Sequence, residues 1–447
     1  MNQARILLLG GNYLPEPTGI GKYNGEMMHW LAGEGYECGV VTSYPYYPHW
    51  KIQSPYERKS YWFSKETVTT EDKDIKVYRC PHYIPEKPSG LKRMVSDLSF
   101  FISAFFQVFM LLFTKKYDYI IAVVPPFQLG LLGMFYRFFK GGKLIYHIQD
   151  LQIDAAKELK MIRSNSLLNI MFSVEKLILK KSDFVSTISD GMMSRVMKKV
   201  NKPVIFFPNW CDTTSFHPLT NKEELKAKFN LDPSKKVVLY SGAIGEKQGL
   251  EAVIHAAKAL VDQNIQFVIC GSGPYKEKLI KLVEKLGVTN LAFMPLQPKE
   301  TFNDFLNMAD LHLVLQKANA NDLVMPSKLT TILSIGGLSL VTATQKTSLH
   351  SILTRHDMGI LVEPENEQLL IEAISNAMQH SYAGMKENAR TFALEYLTMH
   401  SVIDRFLSDI MPERAQVKVP LATITTTTQV KEEPAESSDM MSYTTGQ

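Results

Sequence analysis

Short runs of aliphatic and β-branched residues recur along this chain, and most of them stop at glycine, proline or another turn former. Near the middle, 237–240 and 267–270 have the length and content of strands buried on both faces. Between them, 249–260 spaces Leu250, Val253, Ile254, Ala257 and Leu260 at helical intervals. Each strand runs directly into glycine, first Ser241-Gly242-Ala243-Ile244-Gly245 and then Gly271-Ser272-Gly273-Pro274. Strand, glycine loop, helix, strand, glycine loop is the opening of a doubly wound sheet. Ligands of such sheets bind outside the carboxyl ends of the strands. Glycine lets the backbone approach an anion, and the N–H groups of the next helix can receive a phosphate. Lys247 adds a positive charge to the first loop. Taken alone, either loop reads equally as a tight turn beside a surface lysine.

The first half repeats this grammar. A strand over 5–9 leads into a glycine- and proline-rich loop that reaches Gly19 and Gly21, and 22–33 then has a helical pattern. Further strands are predicted over 39–42, 75–78, 119–124, 143–147, 184–188 and 204–207. The stretch 44–50 after the second strand carries Tyr44, Tyr46, Tyr47 and Trp50 among prolines. It is suited to an exposed loop that stacks on a sugar or closes over a ligand. In the second half, helices over 275–286 and 301–308 alternate with strands over 291–294 and 311–315. Pro326 and Ser327 before the apolar run 329–335 are helix-start signals. The N–H groups around 327–330 therefore form an anion site that Lys328 reinforces. The fold class expected is α/β, two Rossmann-like doubly wound domains facing a central cleft.

The domains expected are 1–208, a linker over 209–218, a second domain over 219–380, and C-terminal helices over 381–412 that return to the first domain. From 413 to 447 the chain is rich in Thr, Ser, Glu and Pro and reads as a disordered tail. The stretch 94–113 is different in kind: densely apolar, rich in phenylalanine and bracketed by Lys92, Arg93, Lys115 and Lys116. Its uninterrupted part is about 16 residues, short of the roughly 20 that span a bilayer. The stretch reads either as a helix buried between the sheet and its neighbours or, in slight preference, as a helix partly exposed to a membrane interface, with Phe138 and Phe139 extending the contact. A spanning helix is rejected, because it would divide one sheet between two sides of a membrane.

The chain has 447 residues, 45% of them hydrophobic, enough for two cores. Its net charge of +4 fits an anionic membrane or substrate without demanding nucleic acid. The four cysteines are far apart, so neither a zinc site nor a disulfide framework is indicated. The N-terminus lacks a signal-peptide pattern, and a cytoplasmic protein is expected.

The ordered set of motifs resembles retaining glycosyltransferases of the GT-B fold in family 4, and within it those of colanic-acid-type exopolysaccharide synthesis. The residues carrying the likeness are Pro17 to Gly21, the loop 44–50, Tyr146 to Asp150, Phe207 to Trp210, the two central glycine loops, Met294 to Leu296, and Pro326 to Gly337. The resemblance implies that Gly19 and Gly21 face the donor phosphate and that His147 approaches the transferred sugar. It puts Gly242 and Lys247 at the pyrophosphate, Gly271, Gly273 and Leu296 at the nucleoside, and Ser327 and Lys328 under the diphosphate. Relatives carry an acidic pair around that helix. Here Val324 and Thr331 stand in those places, with Asp322 as a stand-in, and Ala243 replaces a common arginine.

The implied substrate is a nucleotide sugar, GDP-linked (such as GDP-fucose) in preference to UDP-linked. No metal and no other cofactor is implied. The implied partners are a lipid-linked saccharide acceptor and the inner face of the cytoplasmic membrane. Two alternatives remain: a sugar-nucleotide epimerase or phosphorylase-like enzyme on the same fold, or a catalytically silent partner of a polysaccharide assembly complex. The apolar 94–113 segment speaks against a soluble epimerase. The replaced acidic positions keep the silent partner open.

Overall fold

The computed structural model describes residues 4–16, 19–70, 73–158, 162, 164–317, 326–345 and 347–411. Its first sheet has eight strands, β1 (Arg5–Leu9), β2 (Glu37–Ser43), β3 (Ser64–Val68), β4 (Ile75–Cys80), β5 (Tyr119–Val124), β6 (Lys143–Ile148), β7 (Phe184–Thr187) and β8 (Ile205–Phe206). Their spatial order is β3-β4-β2-β1-β5-β6-β7-β8, and only β3 runs antiparallel to its neighbour. A second sheet has six parallel strands, β9 (Lys236–Ser241), β10 (Ile265–Cys270), β11 (Leu291–Met294), β12 (Leu311–Val314), β13 (Ser339–Thr342) and β14 (Ile360–Val362). Their order is β11-β10-β9-β12-β13-β14.

Both faces of each sheet are covered by helices, which explains why the strands read as continuous apolar runs. On one face of the first sheet, α1 (Gly19–Gly33) buries Met27, Met28 and Leu31. On the other, α2 (Gly90–Leu111) and α3 (Leu129–Lys140) bury Phe100, Ala104, Val108, Leu132 and Tyr136. The α2 helix starts four residues before the expected apolar segment 94–113 and stops two residues short of its end. It is long and apolar enough to cross a membrane. Its inner stripe is nevertheless locked into the sheet's core.

Three strands fall where the hydrophobic pattern gave none. The β3 strand is polar because it is an edge strand, held by β4 and by the Arg79–Glu66 ion pair at 3.2 Å. The β14 strand has only three residues, and β13 follows a glycine pair that masks its start. The C-terminal helices also divide differently from expectation. Helix Ala383–Tyr396 packs into the second domain through Ala389, Phe392 and Ala393. Only Met399–Ile410 enters the first-domain core, where Phe406 stacks on Phe207 at 3.9 Å between ring centroids. The segment 413–447 lies outside the described residues.

The strand order reverses between β1 and β5 in the first sheet and between β9 and β12 in the second. These switch points open a crevice at the carboxyl ends of the strands. The residues leaving them are Gly10 to Asn12 and Pro125-Pro126 in the first domain, and Gly242 and Gln316-Lys317 in the second.

Phe406 is 1% exposed and ties the last helix to the first domain. Phe406→Ala is expected to destabilise that domain by about 3–5 kcal/mol. Chemical unfolding followed by near-UV circular dichroism measures this, and an unmoved first-domain transition would refute the docking of the helix.

Candidate active site

The second-domain wall is built from glycine backbone. The loop after β10 lies directly on the loop after β9, joined by Gly242 N–H donating to the Cys270 carbonyl at 3.0 Å and Ile244 N–H to Ser272 at 2.9 Å. A Cβ on Gly271 would run into the Gly242 carbonyl oxygen, and one on Gly273 into that of Ile244. Only glycine permits this contact, so the expected loops are brought together as one surface. Lys247 lies exposed in the one-turn 3-10 helix Glu246–Gln248. Its carbonyl accepts from Lys317 N–H at 3.0 Å, which brings a second lysine to the rim.

Lys328 faces this surface from the first turn of helix Ser327–Ser334. Its Nζ lies 4.2 Å from the centre of the Tyr240 ring and 3.1 Å from the Tyr240 hydroxyl. A Cβ on Gly242 would sit 3.1 Å from the same Nζ, so Gly242 leaves room for the ammonium. The Tyr240 hydroxyl donates to the Ala243 carbonyl at 2.7 Å, which turns its lone pair toward Lys328. Burial pushes the lysine pKa down to about 8, and no nearby charge among the described residues offsets it. A desolvated cation beside open backbone N–H groups and a helix N-terminus is an anion cradle.

The first-domain wall is a cavity of about 430 Å3 at the β1–β5 switch point. Gly19, Tyr46, Tyr47, Trp50, Pro126 and Asp150 contribute to its lining. The aromatic loop is organised by Glu16, which is fully buried. Its Oε1 accepts from the Tyr46 and Tyr47 N–H groups, each at 2.9 Å, and its Oε2 from Asn12 at 2.9 Å. Burial pushes this carboxyl above its ordinary range, against the pull of those donors. Tyr44 departs from expectation: it is buried, and its hydroxyl donates to the Trp62 carbonyl at 2.8 Å.

Several expected site residues stand elsewhere. His147 is 2% exposed, inside the first-domain core, with Nδ1 3.0 Å from Ser186 Oγ and its ring 4.9 Å from Phe207. Burial pushes its pKa down to about 3. It points into the sheet because it precedes the end of β6, whereas Asp150 beyond the strand reaches the cavity. Gly21 is likewise buried, and a side chain there would meet the Glu16 carboxylate at 2.6 Å. The missing side chain leaves room for Glu16. Thr331 turns toward the linker, with its Oγ1 4.0 Å from Cys211 Sγ. Leu296 stands 64% exposed after β11. Asp322 and Val324 lie outside the described residues. A second cavity, of about 500 Å3, lies where Tyr23 and Asn209 meet Ser327 and Thr330, and the glycine loops do not line it. Glu16, Asn12, Lys317 and Tyr240 were not singled out from sequence. Only the position of Lys317, directly after a strand end, offered a signal.

Two doubly wound parallel-sheet domains meeting at an anion cradle define the GT-B class of glycosyltransferases, and solved structures of that class match. Sucrose-phosphate synthase from Thermosynechococcus elongatus superposes with a TM-score of 0.66 at 15% identity, covering 93% of this chain and 100% of that one. The Anabaena protein HepE, solved with UDP and glucose, gives 0.61 at 13% identity over 91% and 99% of the two chains. At these identities the likeness speaks for the fold alone. The family description "Glycosyl transferase 4-like domain" matches residues 18–210, and "Glycosyl transferases group 1" matches 221–392. WcaI of Escherichia coli (strain K12), whose name assigns it to colanic acid biosynthesis as a glycosyl transferase, is 38% identical over 417 residues. That alignment covers 91% of this chain and 99% of WcaI. WbjE of Pseudomonas aeruginosa, named as a glycosyltransferase, is 18% identical over 311 residues, covering 68% of this chain and 77% of its own. The chain belongs to the group 1, family-4-like glycosyltransferases.

Lys328 carries its charge below about pH 8 and loses it above. In the free protein its depressed pKa leaves the unfolded chain holding more protons between about 8 and 10.5, so this group's contribution to stability rises with pH across that window. Diphosphate binding runs the other way. GDP or UDP affinity is expected to fall between pH 7 and 9.5, and Lys328→Met to remove most of that fall. Calorimetric titration at both pH values decides it, and a pH-independent affinity would take Lys328 out of the site.

Proposed function

We propose that this glycosyltransferase moves a sugar from a GDP-linked donor to a lipid-linked saccharide at the cytoplasmic face of the membrane. The product would be an exopolysaccharide of the colanic-acid type, and the transfer would proceed with retention and without metal. The observation that carries the reading is the half-buried Lys328 ammonium, held against glycine backbone with no carboxylate beside it among the described residues. Cleavage of the anomeric C–O bond leaves a nucleoside diphosphate, and the developing charge needs positive groups fixed in advance. Lys328, Lys247, Lys317 and the N-terminus of helix Ser327–Ser334 supply such charge without an ion. In a front-face reaction the bond from the anomeric carbon to the phosphate oxygen breaks, the acceptor oxygen bonds to that carbon on the same face, and the departing phosphate oxygen takes the acceptor hydroxyl's proton. No pair of catalytic carboxylates is needed, unlike in a glycoside hydrolase. The preference for GDP over UDP rests on the colanic-acid-type resemblance.

The acceptor side carries the membrane part of the proposal. Along the outer face of α2, Leu91, Val95, Leu98, Ile102, Phe106 and Met110 are all 47% or more exposed. Phe113 is 77% exposed, and Phe138 at the end of α3 is 82% exposed. Lys92, Arg93, Lys115, Lys116 and Lys140 flank this apolar face. Apolar and aromatic residues ringed by cations suit an interface with anionic lipid headgroups. The inner face of α2 lines the acceptor-side cavity through Arg93, Asp97 and Phe100. A saccharide reaching that cavity from a lipid anchor therefore has the shortest path along this helix.

GDP and its sugars are expected to raise the melting temperature more than UDP or ADP compounds do, and Lys328→Ala to abolish the shift. No response to any nucleotide from folded protein would sink the donor site. Nucleotide binding without turnover would favour a silent partner, the reading that Thr331 in the usual acidic position supports. Flotation with phosphatidylglycerol-containing vesicles tests the second part. The double substitution Phe113→Ser with Phe138→Ser is expected to cut vesicle binding at least several-fold with the melting temperature unchanged. Equal flotation of the variant would discard the proposed face.

A further inference from the structure

The acceptor-side cavity contains polar groups that the folded chain leaves underused. Asp97 lies on the inner face of α2, four residues after Arg93, and accepts from Gln152 Nε2 at 2.7 Å through Oδ2. A carboxylate offers about four lone-pair positions, so one amide leaves most of its capacity open. Burial pushes the Asp97 pKa up to about 6, partly offset by Gln152 and by the Arg93 charge, so it is ionised at pH 7.5. His82 lines the same cavity, its ring 5.1 Å from that of Tyr46 and 5.9 Å from that of Phe100. Its Nδ1 is buried and has no hydrogen-bond partner among the described residues. Burial pushes its pKa down to about 4, so the ring is neutral, with one nitrogen donating and the other accepting. A buried unpaired ring nitrogen is costly in a folded protein unless something else completes it.

Among the described residues, the other charges around this space are Asp150 and Arg93. Burial pushes Asp150 upward as well. Arg93 is exposed, its guanidinium 5.0 Å from the centre of the Trp50 ring. Among the described residues, half-buried Asp97 faces the interior, while Asp150 and Arg93 are exposed toward the mouth. A phosphate or a sugar acid entering fully would pass Asp150 and meet Asp97. A neutral pyranose would meet hydroxyl acceptors, a neutral imidazole and aromatic faces.

We propose that Asp97 and His82 bind hydroxyls of an uncharged sugar of the acceptor, and that Asp97 makes the cavity reject sugars bearing a carboxylate. This rests on the transferase reading above and deepens it. Any phosphate of the acceptor stays outside, beside Lys92 and Arg93. Asp97 is a specificity residue here and takes no part in the transfer of the proton.

Saturation-transfer NMR on the full chain at pH 7.5 tests this directly. The probes are n-octyl β-D-glucoside, n-octyl β-D-galactoside and n-octyl β-D-glucuronide below their micelle concentrations, with n-octyl glycerol ether as a sugarless control. Saturation of ring protons is expected for at least one neutral glycoside and about tenfold weaker binding for the glucuronide. Asp97→Asn, nearly isosteric, is expected to weaken the neutral glycoside about tenfold and to close most of the gap. Asp97→Glu is expected to keep the rejection of the glucuronide. Ring protons silent for every glycoside, a glucuronide bound as well as the glucoside, or an unchanged profile in Asp97→Asn would each overturn the proposal. Nucleotide-induced melting shifts on the same samples separate the two readings. A shift retained in Asp97→Asn shows an intact donor site and a folded variant. Glycoside binding without any nucleotide shift would sink the donor reading and leave this one standing.

Discussion

The backbone contact between the two second-domain glycine loops is the constraint on which the rest depends. Because neither Gly271 nor Gly273 has a Cβ, the loop after β10 closes onto Gly242 and Ile244. That closure fixes the end of β9 at the switch point, beside β12. It also leaves a hollow into which Lys328 extends over Tyr240. An ammonium drawn out of water is unfavourable in the free protein unless a counter-charge meets it; none does among the described residues, and burial lowers the Lys328 pKa accordingly. The fold tolerates it because Tyr240 contributes both a ring face and a hydroxyl oxygen. Binding an anion would relieve the strain that folding leaves in place.

The first domain solves the opposite problem. There the buried charge is a carboxylate, Glu16, satisfied by two backbone N–H groups and Asn12. These bonds tie the loop after β1 to the loop after β2, so the aromatic side chains around the cavity are held from beneath. Arg79, 2% exposed, adds donations to the Ser43 carbonyl at 3.2 Å and to the Leu14 carbonyl at 2.6 Å. A loop with this much internal bonding is a formed wall, unlike the open segment that its proline and aromatic content suggests.

The elements legible in the sequence were those whose physics is local. Buried parallel strands such as Tyr119–Val124 and Ile265–Cys270 read directly, because they are apolar almost throughout. The glycine loops and the helix start at Ser327 read for the same reason: their chemistry lies within a few residues. What failed was decided by partners distant in sequence. The polar β3 edge depends on β4, and the burial of Tyr44 depends on Trp62. His147 looked available because it sits near a strand end. Whether a strand-end side chain faces the crevice or the sheet's core is set by pleat and register, and here Ser186 on β7 and Phe207 enclose it. The contact between Gly21 and Glu16 was not foreseen, since Glu16 is itself silent in any local pattern. Asp97 was hidden inside an apolar helix whose character pointed outward to lipid.

The two walls of the cleft are electrostatically unlike, and this follows from their construction. The second-domain wall has a half-buried ammonium with no partner carboxylate among the described residues, and lysines on its rim. The first domain has carboxylates instead: Glu16 buried beneath the aromatic loop, Asp97 half-buried in the cavity, and Asp150 exposed, as Arg93 is. The overall charge of +4 hides this division, because it averages a cationic wall with an acidic one. A reaction that brings a diphosphate to one wall and a neutral sugar to the other matches the pattern on both sides. Reversing the two ligands would place a phosphate against buried carboxylates and leave the lysine unpaired. In the low dielectric of a closed cleft that arrangement is strongly disfavoured. The orientation of donor and acceptor in this chain is therefore argued from buried charge, with shape only following it.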